Sequence, residues 1–369
     1  MKIKKVEIFG LTMNLIKPFI ISYNHFDDMP VILVRMETED GYFGWGESVP
    51  DPYVTGETWE STLEIINHEL APLVIDDSPF NLNLIHQKMN ERIFHVPAAK
   101  AAIDLALYDL VGNILSQPVY RLIGGKTHSH LDIPNVISIL PPKKMAKEAA
   151  ELLKKGIRHV KIKVGTDVET DIERIRQVSQ VLPKKVKLRV DANQGWTVTE
   201  AVYVIEQTRD CRVEWYEQPT KAGDHKAMAE VRNATHVQIM ADESIHDISD
   251  LIELNKYRGA DFINIKLMKT GGIYPALKLA SLAESLGLFC QVGSMVETAV
   301  GTMAGAHLSL SQYIIRSNEM VGPLMFKDDV GETEYRDSRI IVSDRSGFGL
   351  NVNEEFVRNK AVKYYNKHS

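Results

Sequence analysis

The sequence predicts an α/β protein built on a barrel of parallel strands with a smaller domain attached. From about residue 131 onward, short apolar runs alternate with amphipathic helical patterns through seven or eight successive units. Polar residues stand at the ends of nearly all these runs, which favours a closed barrel over a doubly wound open sheet. The length of 369 residues exceeds a barrel of about 250 residues and leaves material for a second domain.

The elements follow in chain order. Residues 1–50 read as strands: VEIFGLTMNL and VILVRMETEDGYFGWGES alternate apolar and polar positions, with a turn at Glu39-Asp40-Gly41. A polar loop, Ser22–Asp28, is expected between them. Residues 57–115 read as helices, and AAKAAIDLALYDLVGNIL carries apolar residues at helical spacing. Gln117-Pro118 and Gly124-Gly125 punctuate the end of this domain. The expected barrel strands are IPNVISI, HVKIKVG, KLRVDAN, VEWYEQP, VQIMADES, FINIKL, FCQVGSM and a piece near YIIRSNE. Helical patterns such as MAKEAAELLKKG, DIERIRQVSQVL, TEAVYVIEQTR, HKAMAEVRN, ISDLIELNKYR and YPALKLASLAESLG lie between them. The tail after Gly322-Pro323 breaks the pattern and is expected to return to the first domain as loop, strand and short helix. The expected division is therefore 1–125 joined by 340–369, and 126–339 for the barrel.

Composition narrows the function classes. Hydrophobic residues make up 44% and charged residues 25% of the chain, ordinary values for a globular protein. The net charge is −6, and basic residues are interspersed with acidic ones, so nothing points to a nucleic-acid or membrane-surface partner. Cys211 and Cys290 are too far apart in sequence and too few for a disulfide framework or zinc site. The N-terminus lacks the hydrophobic region of a signal peptide and no apolar run reaches 18 residues, so a cytoplasmic location is the default expectation.

Three expected strands end in an acid: Asp191, Glu217 and Asp242, each about one strand–helix unit after the last. In a parallel barrel such positions lie side by side at the C-terminal face. Three converging carboxylates require a cation, and an all-oxygen set suits Mg²⁺ or Mn²⁺ rather than zinc. Lys161 and Lys163 share one face of their strand, because side chains alternate with period two. Lys266 ends a later strand; Lys269, further into the loop, reads as a surface lysine. Lys163 and Lys266 thus flank the acids from opposite sides of a closed barrel. Such an arrangement suits removal of a proton beside a carboxylate. The cation stabilises the resulting enediolate, and a lysine whose pKa is lowered by burial and by nearby cations acts as base.

These residues resemble those of the enolase superfamily, in its muconate-cycloisomerase-like subgroup. The matching motifs are GYFGWGE, AAIDLALYDLVGNILSQPVYRLIGG, VKIKVG, RVDANQGW, YEQP, ADES, NIKLMKTGG and EMVGPL. The general chemistry, a lysine base with metal-stabilised enediolate, is a known pattern. The resemblance implies an α+β capping domain over a (β/α)₇β modified TIM barrel. It implies Mg²⁺ on Asp191, Glu217 and Asp242, and acid/base roles for Lys163 and Lys266. Lys161 would contact the substrate carboxylate and depress the pKa of Lys163. Cap loops around Tyr23–Asp28 and Asp51–Glu57 would close over a small-molecule carboxylate. Ser294 and the segment Glu319-Met320-Val321 would line the substrate site. A homo-oligomer, such as an octamer, is also implied.

The reaction is expected to be 1,1-proton transfer on an amino-acid derivative. Dipeptide epimerases carry two aspartates one residue apart before a Gly-Pro; here Glu319 is followed by Met320 and Val321, and one acid is missing. The loop acids Asp27, Asp28, Asp51 and Glu57 suit a cationic distal group. The pattern is similar to that of racemases of N-succinylated arginine or lysine, with Phe26 packing on the substrate stem and Asp51 meeting its cationic end. Dipeptide epimerisation and muconate-type cycloisomerisation remain alternatives.

Overall fold

The computed structural model describes residues 1–369. Eight parallel strands pair in strict chain order: Asn135–Ile137, His159–Lys163, Lys187–Asp191, Val213–Glu217, Ile239–Ala241, Phe262–Ile265, Phe289–Val292 and Ile315–Asn318. A longer helix follows each of the first seven, and together they form the (β/α)₇β barrel. Several of these helices begin where a side chain satisfies a free N–H of the first turn: Asp167, Thr197, Asp224 and Asp247 all cap in this way. The seventh helix, Ala299–Ser311, is absent from the helical patterns read in the sequence. All 13 of its residues are buried, so it has no polar face and no amphipathic period.

The hydrogen-bonded ladder ends at the first and eighth strands. At that seam the Asn318 amide donates to the Asp132 carbonyl at 3.1 Å, and Leu131–Asp132 belongs to a separate small antiparallel sheet with Tyr335–Arg336 and Arg339–Ile340.

The cap is a four-stranded antiparallel sheet in the order Lys363–His368, Ile3–Ile20, His25–Thr38, Phe43–Ser48. The expected loop Ser22–Asp28 is mostly strand. Phe19 pairs with Phe26 and Ile20 with His25, which confines the turn to four residues, Ile21–Asn24. The tail carries helix Glu354–Lys360 before its last strand, the reverse of the expected order. The helix Pro97–Ile114 lies directly on Phe43–Ser48. A Cβ on Gly44 would sit 2.3 Å from Leu110 N, and one on Gly46 would sit 2.0 Å from Ala102 O, which is why GWG stands there.

One face of the cap sheet is continuous with the barrel core: Phe9, Leu11 and Leu33 belong to the same buried cluster as Ile162 and Val190. Buried carboxylates fasten the two parts. Glu47 accepts from Thr298 N at 2.7 Å, Thr298 Oγ1 at 2.7 Å and Gly301 N at 2.6 Å, at the start of the seventh barrel helix. Burial pushes its carboxyl up to about 8. Asp104 likewise accepts from Ile273 N and Tyr274 N, at 2.5 and 3.2 Å.

Candidate active site

The register of the second to fourth barrel strands places Lys163 beside Asp191 and Asp191 beside Glu217. Asp242 follows the fifth strand directly. Asp191, Glu217 and Asp242 each bring a carboxylate oxygen within 4.8 Å of the others, and all three are buried. Lys161 Nζ lies 2.9 Å from Asp191, 2.8 Å from Glu217 and 2.7 Å from Glu319. Lys163 Nζ is 2.7 Å from Asp191 Oδ2, and Lys266 Nζ is 2.7 Å from Asp242 Oδ2. Lys163 ends the second strand and Lys266 directly follows the sixth, four positions apart in a ring of eight and so across the mouth from one another.

Burial works to raise the pKa of each acid, and the lysines oppose it unequally. Asp191 is held down to about 2 by Lys161 and Lys163 despite burial. Lys266 and Lys269 lower Asp242 further. Glu217 is pushed up by burial and by the charge of Asp191. Burial lowers the pKa of Lys266, but the charges of Asp242 and Glu243 outweigh that and raise it above the ordinary lysine value.

The donor set fits a divalent cation. Glu217 Oε2 and Asp242 Oδ2 lie within ion-pair distance of a lysine yet receive no hydrogen bond of acceptable geometry. Buried carboxylate oxygens left in this state are costly, and an oxygen-binding cation would satisfy both.

Lys269 is a correction. It is not a surface lysine but 1% exposed, since the chain turns into a short helix, Leu267–Thr270, directly after the sixth strand. Its Nζ lies 2.6 Å from Asp242 Oδ1 and 3.0 Å from the Asn264 carbonyl. Asn264 in turn donates to Glu217 Oε1 at 2.9 Å. The FINIKLMK stretch carried the only signal for this second support.

A cavity of about 60 Å³ opens above the lysines. It is lined by Lys161, Lys163, Lys266, Ser294, Glu319 and Val321, and by Phe26 and Asp51 from the cap. That volume is small beside the roughly 300–1,000 Å³ of ligand pockets. Met320 does not line it. It packs on the seventh helix, where a Cβ on Gly305 would lie 2.5 Å from its sulfur. The acidic lid shrinks to one residue: Asp27 and Asp28 are exposed, and Glu57 is buried as a helix cap, accepting from Ala98 N and Ala99 N at 2.8 and 2.9 Å. Asp51 Oδ1 accepts from Tyr53 N at 2.7 Å and Val54 N at 3.2 Å, which fixes the loop that carries it.

Sequence reasoning missed Phe19 and Val296, while Tyr23 falls within the cap loop expected to close over the site. Phe19 stacks on Phe26 with centroids 6.5 Å apart and has Lys163 Nζ 5.9 Å from its ring centre. Val296 sits at φ +66°, a left-handed conformation rare for a β-branched residue and typical of sites under constraint. Ser294 Oγ accepts from Val296 N at 2.9 Å and donates to Glu297 at 2.5 Å.

A parallel barrel with acids ending its third to fifth strands, and lysines facing each other across them, defines an acid/base enzyme of the enolase type. Residues 4–124 match the mandelate racemase / muconate lactonizing enzyme N-terminal domain, and residues 144–356 the enolase C-terminal domain-like family. The chain belongs to the enolase superfamily, and it is an isomerase. It is 43% identical over 363 residues to the N-succinyl-L-Arg/Lys racemase of Bacillus cereus, covering 98% of each chain. The solved structure of the N-succinyl Arg/Lys racemase from that organism superposes with a TM-score of 0.98 over 100% of both chains, at 42% identity. A hydrophobic dipeptide epimerase of Enterococcus faecalis is 41% identical over 314 residues, covering 85% of this chain and 88% of the relative. No helix is long and apolar enough to cross a membrane.

Proposed function

We propose that the chain racemises N-acylated, specifically N-succinylated, amino acids with basic side chains, in a Mg²⁺-dependent 1,1-proton transfer at the α-carbon. The observation that carries this reading is the 43% identity to an N-succinyl-L-Arg/Lys racemase along nearly the whole of both chains. Asp51, on the cavity wall, supports it. Burial raises its pKa against the pull of backbone N–H groups and Lys266, and a carboxylate desolvated in this way gains most from a cationic ligand.

Asp191, Glu217 and Asp242 would hold the metal, which supplies positive charge to the substrate carboxylate as the α-proton leaves. Lys163 Nζ takes the proton from one face of the α-carbon, and Lys266 Nζ delivers one to the other face, so configuration inverts. In the reverse direction their roles exchange. Lys161 balances the charge of Asp191, Glu217 and Glu319 and stands where it can contact the substrate carboxylate. The cap excludes water through Phe19, Tyr23 and Phe26, and N-acylation removes the α-ammonium that the missing second acid at Val321 would have paired.

The test is incubation with N-succinyl-L-arginine in heavy water with Mg²⁺, followed by proton NMR and optical rotation. Loss of the α-proton signal together with loss of rotation is expected. Absence of exchange with every N-acyl arginine and lysine would overturn the reading. Dipeptide epimerisation is the second reading, favoured by the 41% identity to the Enterococcus enzyme. Val321 on the cavity wall speaks against it, and turnover of dipeptides in preference to N-succinyl substrates would establish it.

A further inference from the structure

A second cavity, of about 280 Å³, lies at the opposite, N-terminal end of the barrel, at the seam where the strand ladder ends. It would hold roughly nine waters at liquid density. Its residues form the layer beneath the active site. His159 and Arg189 precede Lys161 and Asp191 by two residues on the same strands and therefore share their faces, and Ser317 stands on the eighth strand two residues before Glu319, which follows that strand.

This layer is cationic and incompletely satisfied. Arg189 is 5% exposed. Its guanidinium donates to Glu214 at 2.9 Å, to Ser317 Oγ at 2.9 Å and to His159 Nδ1 at 3.3 Å, which leaves two of its five N–H groups without a partner. Because His159 Nδ1 accepts from an arginine, the neutral ring carries its proton on Nε2, and that N–H has no partner in the protein. Arg316 makes no ion pair; it stacks on Tyr313 at 4.4 Å and Phe289 at 5.2 Å. It is the extra residue of a β-bulge, since Cys290 pairs with Ile315 and Gln291 with Ser317, and a bulge re-aims the side chain it carries. The neighbouring acids are already engaged, Glu214 by Arg189 and Lys187, and Asp132 by Arg339 at 2.8 Å and His130 at 3.4 Å. In a chain of net charge −6, this pocket concentrates positive charge and free N–H donors.

We propose that this cavity, between Arg189, Arg316, His159 and His130, binds a small multivalent oxyanion of the size of inorganic phosphate. Such an anion matches the fork of donors on the guanidiniums and takes up the unpaired charge of Arg316.

The experiment is calorimetric titration of the metal-free, full-length protein with inorganic phosphate, at ionic strength held constant with sodium chloride. Saturable one-site binding is expected in the wild type and equally in Lys266→Ala. Arg316→Gln should weaken it by at least about tenfold, as loss of a charge-assisted contact does, and Arg316→Lys, which keeps the charge but loses the fork and the stacking, should weaken it by less than Arg316→Gln does. If Arg316→Gln does not fold, as judged by circular dichroism, Arg316→Met at the same exposed position carries the same test with the same expected weakening. No saturable binding in the wild type, an unchanged affinity in the folded charge-removing variant, or an adventitious ion held among the active-site lysines and lost in Lys266→Ala would each overturn the proposal.

Discussion

Asp51 divides its work between its oxygens. Oδ1 holds the loop through Tyr53 N and Val54 N, while the charge faces the cavity. Asp51→Asn keeps the Oδ1 acceptor and removes only the charge, so it separates these two roles. On the proposed reading, kcat/KM for N-succinyl-arginine should fall by roughly ten- to a hundredfold, the cost of about 1.5–3 kcal/mol for a lost charge-assisted contact. N-succinyl derivatives of neutral amino acids should change by less than about threefold. Equal losses on both classes would remove Asp51 from recognition. The lysines allow a sharper separation. Lys163→Ala or Lys266→Ala should each reduce racemisation by about 10²–10⁴-fold, the usual contribution of a positioned acid/base group. Each variant should still exchange the α-hydrogen of one enantiomer with solvent, and the two should keep opposite enantiomers. Exchange of the same enantiomer by both variants would contradict the two-faced arrangement.

At the scale of elements, the parts with a regular period were legible and the parts made by packing were not. The barrel strands could be read because each places its polar residue at the same end, and the acids at 191, 217 and 242 fall one unit apart. The helix Ala299–Ser311 was not readable, since a helix buried on every side has no period to detect. Lys269 looked like a loop residue because only the turn of Leu267–Thr270 folds it under Asp242. Phe19 lies beside the turn at the end of a long strand and becomes a cavity wall only when cap and barrel meet. The buried helix also carries an acid-sensitive group. His307, 0% exposed, accepts from Tyr120 N at 3.0 Å, and burial holds its pKa down to about 4, against 6.5 for an exposed histidine. Between those values the unfolded chain binds a proton that the folded one refuses. Stability from this group is therefore complete above pH 6.5 and lost as pH falls toward 4, to a total of about 3 kcal/mol. His307→Asn keeps an acceptor near Nδ1 but cannot titrate. Its urea midpoint should be lower than that of the wild type at pH 8 and should fall less steeply between pH 6.5 and 4.5. Parallel pH profiles for the two proteins would show that another group carries the acid sensitivity.

For the whole molecule, the charge layer at the barrel mouth couples metal binding to folding. Three acids, Asp191, Glu217 and Glu319, crowd the ammonium of Lys161 and only Asp191 has a second, that of Lys163, whereas Asp242 alone faces both Lys266 and Lys269. Removing one charge from the crowded group relieves it; removing the charge of Asp242 strands two buried lysines. The two substitutions should therefore move the metal-free protein in different directions. Glu217→Gln should leave its thermal midpoint unchanged or higher, while Asp242→Asn should lower its stability by about 3–5 kcal/mol, the cost of breaking a buried pair. Mg²⁺ should raise the midpoint of the wild type saturably, with about 2.7 kcal/mol gained at a hundred times the dissociation constant. Both variants should lose most of that gain, because each lacks one of the three oxygen donors. Differential scanning calorimetry with and without Mg²⁺ reads all four quantities. A wild-type midpoint indifferent to Mg²⁺, or a Glu217→Gln protein that still responds as the wild type does, would mean that the three carboxylates serve only as counter-ions for the lysines. The acid trio would then be a structural device of the barrel, and the proton-transfer reading would have to do without a metal.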